Sequence, residues 1–249
     1  MQRFDFHVHS DFSDGKSSVE EIVVMAIESG MTKIGISDHS YTHFDESYCI
    51  KKERIKEYID TLHSLKDKYK DKIEVHTGIE QDFYSDESTE PYDYVIGSVH
   101  YIKAQNEYIP VDESAEILIN AADTHFCGDI YALIDEYYKT VADVVRKTKA
   151  DIIGHFDLIS KFNENGELFN ENDVRYVNSF KRAADSLLKS NAIFEINTGA
   201  ISRGYRTSPY PSKQIYDYLK SNGAKFILSS DSHDKDTLCY CFDEYDNLT

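Results

Sequence analysis

Seven times along this chain a short run of strand-forming residues gives way to a helical pattern, and that alternation limits the fold more than any other feature. The first strand spans about Arg3–His7. A helix follows with Val19, Ile22, Val23, Ala26 and Ile27 on one face; Ser17-x-x-Glu20 reads as its capping box and Gly30 as its left-handed end. Ile34–His39 is the second strand, and 51–70 a long amphipathic helix with Ile55, Tyr58, Ile59, Leu62, Leu65 and Tyr69 at helical spacing. Ile73–Glu80 and Tyr94–His100 are the third and fourth strands, separated by an acidic loop from Gln81 to Pro91. Helical stretches at 112–122 and 127–148 lead to the fifth strand, Ile152–His155. A helix at 171–190, the strand Ile193–Asn197, a helix over Ser212–Asn222 and the strand Phe226–Ser230 complete the series. Strict alternation predicts parallel strands covered by helices. Seven units in 249 residues favour a closed or nearly closed (β/α)7 TIM-like barrel over an open doubly wound sheet.

No repeat, low-complexity tract or linker interrupts the pattern, so residues 1–249 read as one domain. A chain this long buries roughly 70–75% of its unfolded surface. It has no run of 18 apolar residues and no secretory signal pattern, which argues against a membrane partner. Cys49, Cys127, Cys239 and Cys241 do not form a disulfide framework, and free thiols suit the cytoplasm. The net charge of −18 argues against nucleic acid. It also repels small anions unless something inverts the local sign, which bound divalent metals do.

The chemistry gathers where the strands end. In Phe4-Asp5-Phe6-His7-Val8-His9, apolar residues alternate with polar ones in a period of two, so His7 and His9 project to one side. The later strand ends carry His39, Glu80, His100, His155, Asn197, and Asp231 with His233; Asp14, in the first loop, can swing over the same rim. Six of the ten histidines fall here. In a barrel that rim is the C-terminal face, where catalytic groups collect. Any one of these residues has an ordinary reading, such as a satisfied core histidine or a helix cap. Together they would repel or stay unpaired unless cations lay among them. Imidazoles and carboxylates suit Zn, Fe or Mn. Nine candidate ligands exceed one tetrahedral ion but serve two or three that share a bridging carboxylate, for which Glu80 is the candidate. Three divalent ions against Glu80, Asp231 and Asp14 leave roughly +3 locally, enough to attract a phosphate dianion.

The set His7-x-His9, Asp14, Asp38-His39, Gly78-Ile79-Glu80, Gly97-Ser98-Val99-His100, Gly154-His155-Phe156-Asp157 and Asp231-Ser232-His233 resembles the PHP (polymerase and histidinol phosphatase) family over essentially the whole chain. The resemblance implies a distorted seven-stranded barrel with three divalent metal ions. One ion would take His7, His9, Glu80 and Asp231. A second would share Glu80 and take His100 and His155, and a third would take Asp14, His39 and His233. Glu195–Gly199 and Pro209-Tyr210-Pro211-Ser212 are most similar to the stand-alone histidinol-phosphate phosphatases. That implies hydrolysis of a small phosphomonoester, L-histidinol phosphate, in histidine biosynthesis. Lys161, Arg203, Arg206 and Asn197 would bind substrate, and Asp231 or His43 would pass a proton to the leaving alkoxide. Where many members carry arginines, this chain has Ser160 and Ser202, each followed by a base, Lys161 or Arg203. Lysine lacks the bidentate fork of arginine, so the substrate is the point that this departure leaves open. The alternatives are a PHP phosphoesterase acting on a phosphotyrosyl protein or a nucleotide, a metal-dependent amidohydrolase, and a catalytically idle metal-binding module. The amidohydrolase would want a lysine after the fourth strand, where His100 stands with Lys103 three residues on. His63, His76 and His125 receive no role, and the oligomeric state is not indicated.

Overall fold

The computed structural model describes residues 2–249. Nine strands form: β1 (Phe4–Asp5), β2 (Lys33–Ile36), β3 (Glu74–Asp82), β4 (Tyr94–Ser98), β5 (Tyr101–Ala104), β6 (Glu107–Pro110), β7 (Ile152–Ile153), β8 (Ile193–Asn197) and β9 (Phe226–Ser229). Seven of them make one parallel sheet in the order β1-β2-β3-β4-β7-β8-β9. The order follows the chain, as expected for a sheet wound into a barrel with a helix after nearly every strand. The main helices are α1 (Val19–Glu28), α2 (Ile55–Tyr69), α3 (Ala115–His125), α4 (Ile130–Val141), α5 (Val144–Thr148), α6 (Val174–Leu187), α7 (Gly199–Ser202) and α8 (Lys213–Ser221). Four-residue α9 (Phe242–Tyr245) lies in the acidic tail.

Between β9 and β1 the ladder is missing, and three devices bridge the seam. At the lower end the Gln2 side-chain amide donates to the carbonyls of Phe4 and Leu228, both at 2.8 Å, and accepts from Leu228 N at 3.2 Å. Midway, the buried Asp5 carboxylate accepts from the amides of Ser230 at 3.2 Å and Cys239 at 3.1 Å. At the upper end the backbone closes on itself: His9 N donates to Ser232 O at 2.8 Å and Ser232 N to His7 O at 3.2 Å. Among the described residues the barrel is therefore joined by backbone pairing only at the rim that carries the histidines.

The lower barrel is filled by Ile96, Ile152 and Ile227 with Phe4, Phe6, Tyr94 and Ile193, a cluster to which no helix contributes. Tyr94 reaches across it to donate to Phe6 O at 2.6 Å. Gly35 and Gly78 lie under that ring, and a Cβ at either would collide with it. Val8 packs instead with Val19, Ile22 and Tyr58 in the helical layer. The expected alternation of Phe4, Phe6 and Val8 on one face therefore breaks between Phe6 and His7, where the two-residue β1 has already ended.

Other local expectations shift. The capping box belongs to Ser18 and Glu21, not Ser17 and Glu20. Ser17 is buried and its hydroxyl accepts from Lys235 N, so it is unavailable as a cap. The stretch 127–148 forms two helices rather than one, and 101–110 forms an antiparallel hairpin outside the barrel that the alternation did not predict.

Candidate metal centre

Most of the candidate ligands sit in or shortly after a strand of the parallel sheet, and Asp14 reaches the same cavity from the loop after β1. Glu80, buried within β3, stands in the middle. Its Oε2 lies 2.8 Å from His39 Nδ1, 3.3 Å from His7 Nε2 and 3.6 Å from His9 Nε2. Its Oε1 lies 3.0 Å from His155 Nε2 and 3.4 Å from His100 Nε2. Asp231 is 3.3 Å from His9 Nε2 and 3.6 Å from His233 Nδ1. Asp14, the most exposed member, is 3.2 Å from His233 Nε2 and 3.7 Å from His39 Nε2.

All nine side chains named from the sequence thus meet in one place. Three overlapping groups have ligand atoms within 4.8 Å of one another: His9, Asp14, His39 and His233; His7, His9 and Glu80; His39, Glu80 and His100. The grouping differs in detail from the partition the resemblance implies, because His39 lies against Glu80 and His100 as well as Asp14.

Several of these atoms are sealed from solvent yet lack a hydrogen-bond partner: His7 Nε2, both nitrogens of His9, His39 Nδ1 and Glu80 Oε2. Leaving that many buried polar atoms unpaired is costly, and their convergence fits a divalent cation. The proton distribution agrees. Burial opposes charge on His7, but Glu195, Glu80 and Asp231 hold its imidazole well above the usual value. His100 is likewise raised against burial by Glu80 and Asp82. Burial, with His233 and His39 beside it, pushes His9 down to about 3. Against burial, His39, His7 and His100 hold Glu80 far below the ordinary carboxylate range, and Arg203 and His7 do the same for Asp231.

Supporting groups fix the ligands, and sequence reasoning gave them no role. His7 Nδ1 donates to Glu195 Oε1 at 2.5 Å, which commits Nε2 to the cavity. Glu195 Oε2 also accepts from His155 N at 3.0 Å. Asp82 accepts from the amide of His100 and lies 3.2 Å from its Nδ1. Asp38 accepts from Ser10 N at 2.7 Å, Ser10 Oγ at 2.6 Å and Ser13 Oγ, tying down the loop that carries Asp14. The signal that could have found Glu195 was a lone carboxylate inside an otherwise apolar strand.

A pocket of about 410 Å3 opens over the cluster, lined by six of the nine ligand candidates and by Lys161, Arg203, Tyr205 and Tyr210. Asp45, Asp112 and Glu113 add acid to its wall. Lys161 Nζ donates to Asp112 O at 2.7 Å and lies 4.6 Å from the Tyr205 ring. Arg203 donates to Asp231 O at 2.7 Å and to its carboxylate at 3.0 Å.

Three other candidates stand outside the pocket lining. Arg206 is buried behind Tyr210, its guanidinium 4.7 Å from that ring and bonded to Ser160 O and Oγ, so it does not line the pocket. Asn197 is fully buried, its amide donating to Glu195 and Asp231 and its oxygen accepting from Gly199 N. Its side chain is thus bonded to two carboxylates and to the backbone. His43 is exposed and stands among Phe44 and Tyr108, away from the cavity. The amidohydrolase lysine is also missing: Lys103 is exposed on the hairpin, its Nζ 3.2 Å from Tyr108 Oη. Among the described residues no helix is long and apolar enough to cross a membrane.

Comparison with known proteins agrees with this geometry. A Schizosaccharomyces pombe protein named "Probable histidinol-phosphatase" is 27% identical over 244 residues, 88% of this chain and 76% of its own length. A crystal structure from Listeria monocytogenes superposes with a TM-score of 0.82 at 20% identity, covering 97% of this chain and 99% of the other. The histidinol phosphate phosphatase of Lactococcus lactis, crystallised with zinc, L-histidinol and phosphate, superposes with a TM-score of 0.69 at 20% identity, covering 99% and 92%. The PHP domain model matches residues 5–199. With that match over most of its length, and the rim of imidazoles and carboxylates its sequence foretold, the chain belongs to the PHP domain family.

Proposed function

We propose that this protein is a divalent-metal-dependent phosphomonoesterase, and that its substrate is L-histidinol phosphate, cleaved to L-histidinol and inorganic phosphate. The observation that carries the reading is the convergence of His7, His9, His39, His100 and His155 on the single buried carboxylate of Glu80 at the floor of a pocket. Three ions of Zn, Fe or Mn would suit this donor set, and His7, His9, Asp14, His39, Glu80, His100, His155, Asp231 and His233 would hold them. When bound, such ions supply Lewis acidity toward phosphoryl oxygens and acidify water.

The chain's own groups do the rest. Lys161 and Arg203 place cations on the pocket wall for the phosphoryl oxygens. Asp231 lines the pocket and can accept a proton from the attacking water and return it to the leaving alkoxide, which leaves the carboxylate unchanged over a cycle. The wall carries acids as well as bases, and four tyrosines, Tyr48, Tyr101, Tyr205 and Tyr210. That mixture suits a small substrate with a phosphate, an ammonium and an aromatic ring. The named relatives support the same substrate. We place the reaction in cytoplasmic histidine biosynthesis, in keeping with four free cysteines.

The experiment is phosphate release from L-histidinol phosphate, p-nitrophenyl phosphate, a phosphotyrosine peptide and a nucleotide, on protein of measured metal content. The reading expects kcat/KM for histidinol phosphate to lead by at least about tenfold, roughly 1.4 kcal/mol of differential transition-state binding. Equal turnover of all four would remove the substrate assignment, and no turnover of any by metal-loaded protein would remove the phosphatase.

A further inference from the structure

The β5–β6 hairpin leaves the barrel at one candidate metal ligand and comes back to it. Its first strand begins directly after His100, and where its second strand ends Val111 N donates to His100 O at 2.9 Å. The excursion is anchored: Ile102, Ile109 and Val111 are buried in the same apolar cluster as Leu133 and Tyr137 of α4. The residue delivered next is Asp112, in the pocket wall. There it meets Lys161, which arrives from the loop after β7, 49 residues on. Lys161 Nζ donates to the Asp112 carbonyl at 2.7 Å and to its Oδ2 at 3.3 Å. The rest of the lysine is held too. Its side chain is 12% exposed, and its ammonium lies 4.6 Å from the Tyr205 ring and 5.6 Å from the Phe162 ring. Arg206 grips the preceding residue, Ser160, at O and Oγ.

We propose that Asp112 is a positioning residue, which holds the Lys161 ammonium in the pocket wall for the phosphoryl oxygens without touching the substrate itself. This rests on the phosphomonoesterase reading, and it gives the hairpin outside the barrel a purpose. Lysine is a point charge with three donors on a flexible stem. Two donors go to Asp112, and among the described residues Nζ has no third acceptor. One donor and the charge therefore remain for an anion. The two bond lengths matter. A carboxylate as the nearer partner would quench the charge it holds; here the nearer partner is a neutral carbonyl, and Oδ2 stands back at 3.3 Å. The stem is ordered before substrate arrives, so its lost rotamer freedom does not weaken binding. A cation fixed in advance also needs no reorganisation when charge builds on the phosphoryl oxygens.

The test is a double-mutant cycle in the metal-loaded enzyme: Asp112→Asn, Lys161→Met and the two together, with L-histidinol phosphate and, if that is not turned over, p-nitrophenyl phosphate. Lys161→Met is expected to lower kcat/KM by about 10- to 100-fold, as loss of a charged hydrogen bond does. Asp112→Asn keeps the carbonyl and loses only the charge, so a fall of about three- to tenfold is expected, with metal content unchanged. The double variant should be no worse than Lys161→Met alone, because Asp112 then has nothing to position. The inhibition constant of inorganic phosphate should follow the same pattern. Losses that multiply in the double variant overturn the proposal, since a structural role or a direct contact with substrate acts independently of Lys161. Wild-type or higher kcat/KM in Asp112→Asn overturns it as well, as does wild-type kcat/KM in Lys161→Met, and each of these results leaves the phosphatase intact. Wild-type protein inactive on both esters fails the underlying reading instead. The cycle is then read on the dissociation constant of inorganic phosphate by calorimetry, where the same non-additivity supports the positioning and multiplied losses overturn it. Should Asp112→Asn not fold, Asp112→Ser takes its place in the cycle.

Discussion

Glu195 grips His7 from behind: 188 residues apart in sequence, their side chains meet at 2.5 Å through Nδ1, so that Nε2 faces Glu80. The carboxylate fixes the tautomer and makes the ring a better ligand. Glu195→Gln keeps the shape but removes the charge. Metal affinity is expected to fall about 10- to 100-fold, read by equilibrium dialysis against a zinc or manganese buffer. An unchanged affinity would show that Glu195 merely fills space.

Metal removal is the broadest test. Treatment with EDTA should abolish phosphate release, and add-back of Zn, Mn or Fe should restore it. The metal-free protein should also melt at a lower temperature, because a ligand that binds only the folded state stabilises it by mass action. Phosphate release that persists in protein verified as metal-free would refute the mechanism.

Gly199 packs so closely against Asp231 that no side chain fits between them. A Cβ there would lie 2.7 Å from Asp231 Cβ and 2.8 Å from its Oδ2. Gly199→Ala must therefore displace the carboxylate that lies against His9 and Arg203. Overpacking of this kind costs about 1–3 kcal/mol, and a drop of several degrees in melting temperature is expected, with kcat/KM down by about tenfold or more. Wild-type activity would mean Asp231 has slack that the structure does not suggest.

His43→Ala, in contrast, should leave kcat/KM within about twofold and stability within about 0.5 kcal/mol, as for most exposed positions. A large loss in kcat would bring His43 back as a proton donor and require the loop around Phe44 to close over the pocket.

The sequence carried the barrel and the nine rim residues because both are written in local signals: apolar runs, helical periodicity and a polar residue at each strand end. It did not carry the partners that cross the barrel. Nothing in Phe194-Glu195-Ile196 says that the carboxylate meets His7, and nothing around Asp82 says that it holds His100. The β5–β6 hairpin was missed because its strands are four residues each and turn at Gln105, which takes a left-handed φ of 57° without a glycine to announce it. Arg203 and Arg206 look equivalent on paper. A turn after α7 sends the first to Asp231 and the second behind Tyr210.

The unpaired edge between β1 and β9 ties assembly of the centre to synthesis of the chain. His7 and His9 precede Asp231 and His233 by 224 residues, and among the described residues the strand-like pairing between the two stretches is the bridge of Val8 with Ser232, with Lys16 N donating to His233 O beside it. A nascent chain can therefore hold no finished cage. An ion that draws His9 and Asp231 together also draws the two lips of the cylinder together, acting as a clasp on a structure whose own stitching is sparse. Chelation should accordingly loosen the first and last segments ahead of the middle, and amide hydrogen exchange of β1 and β9 would register it first.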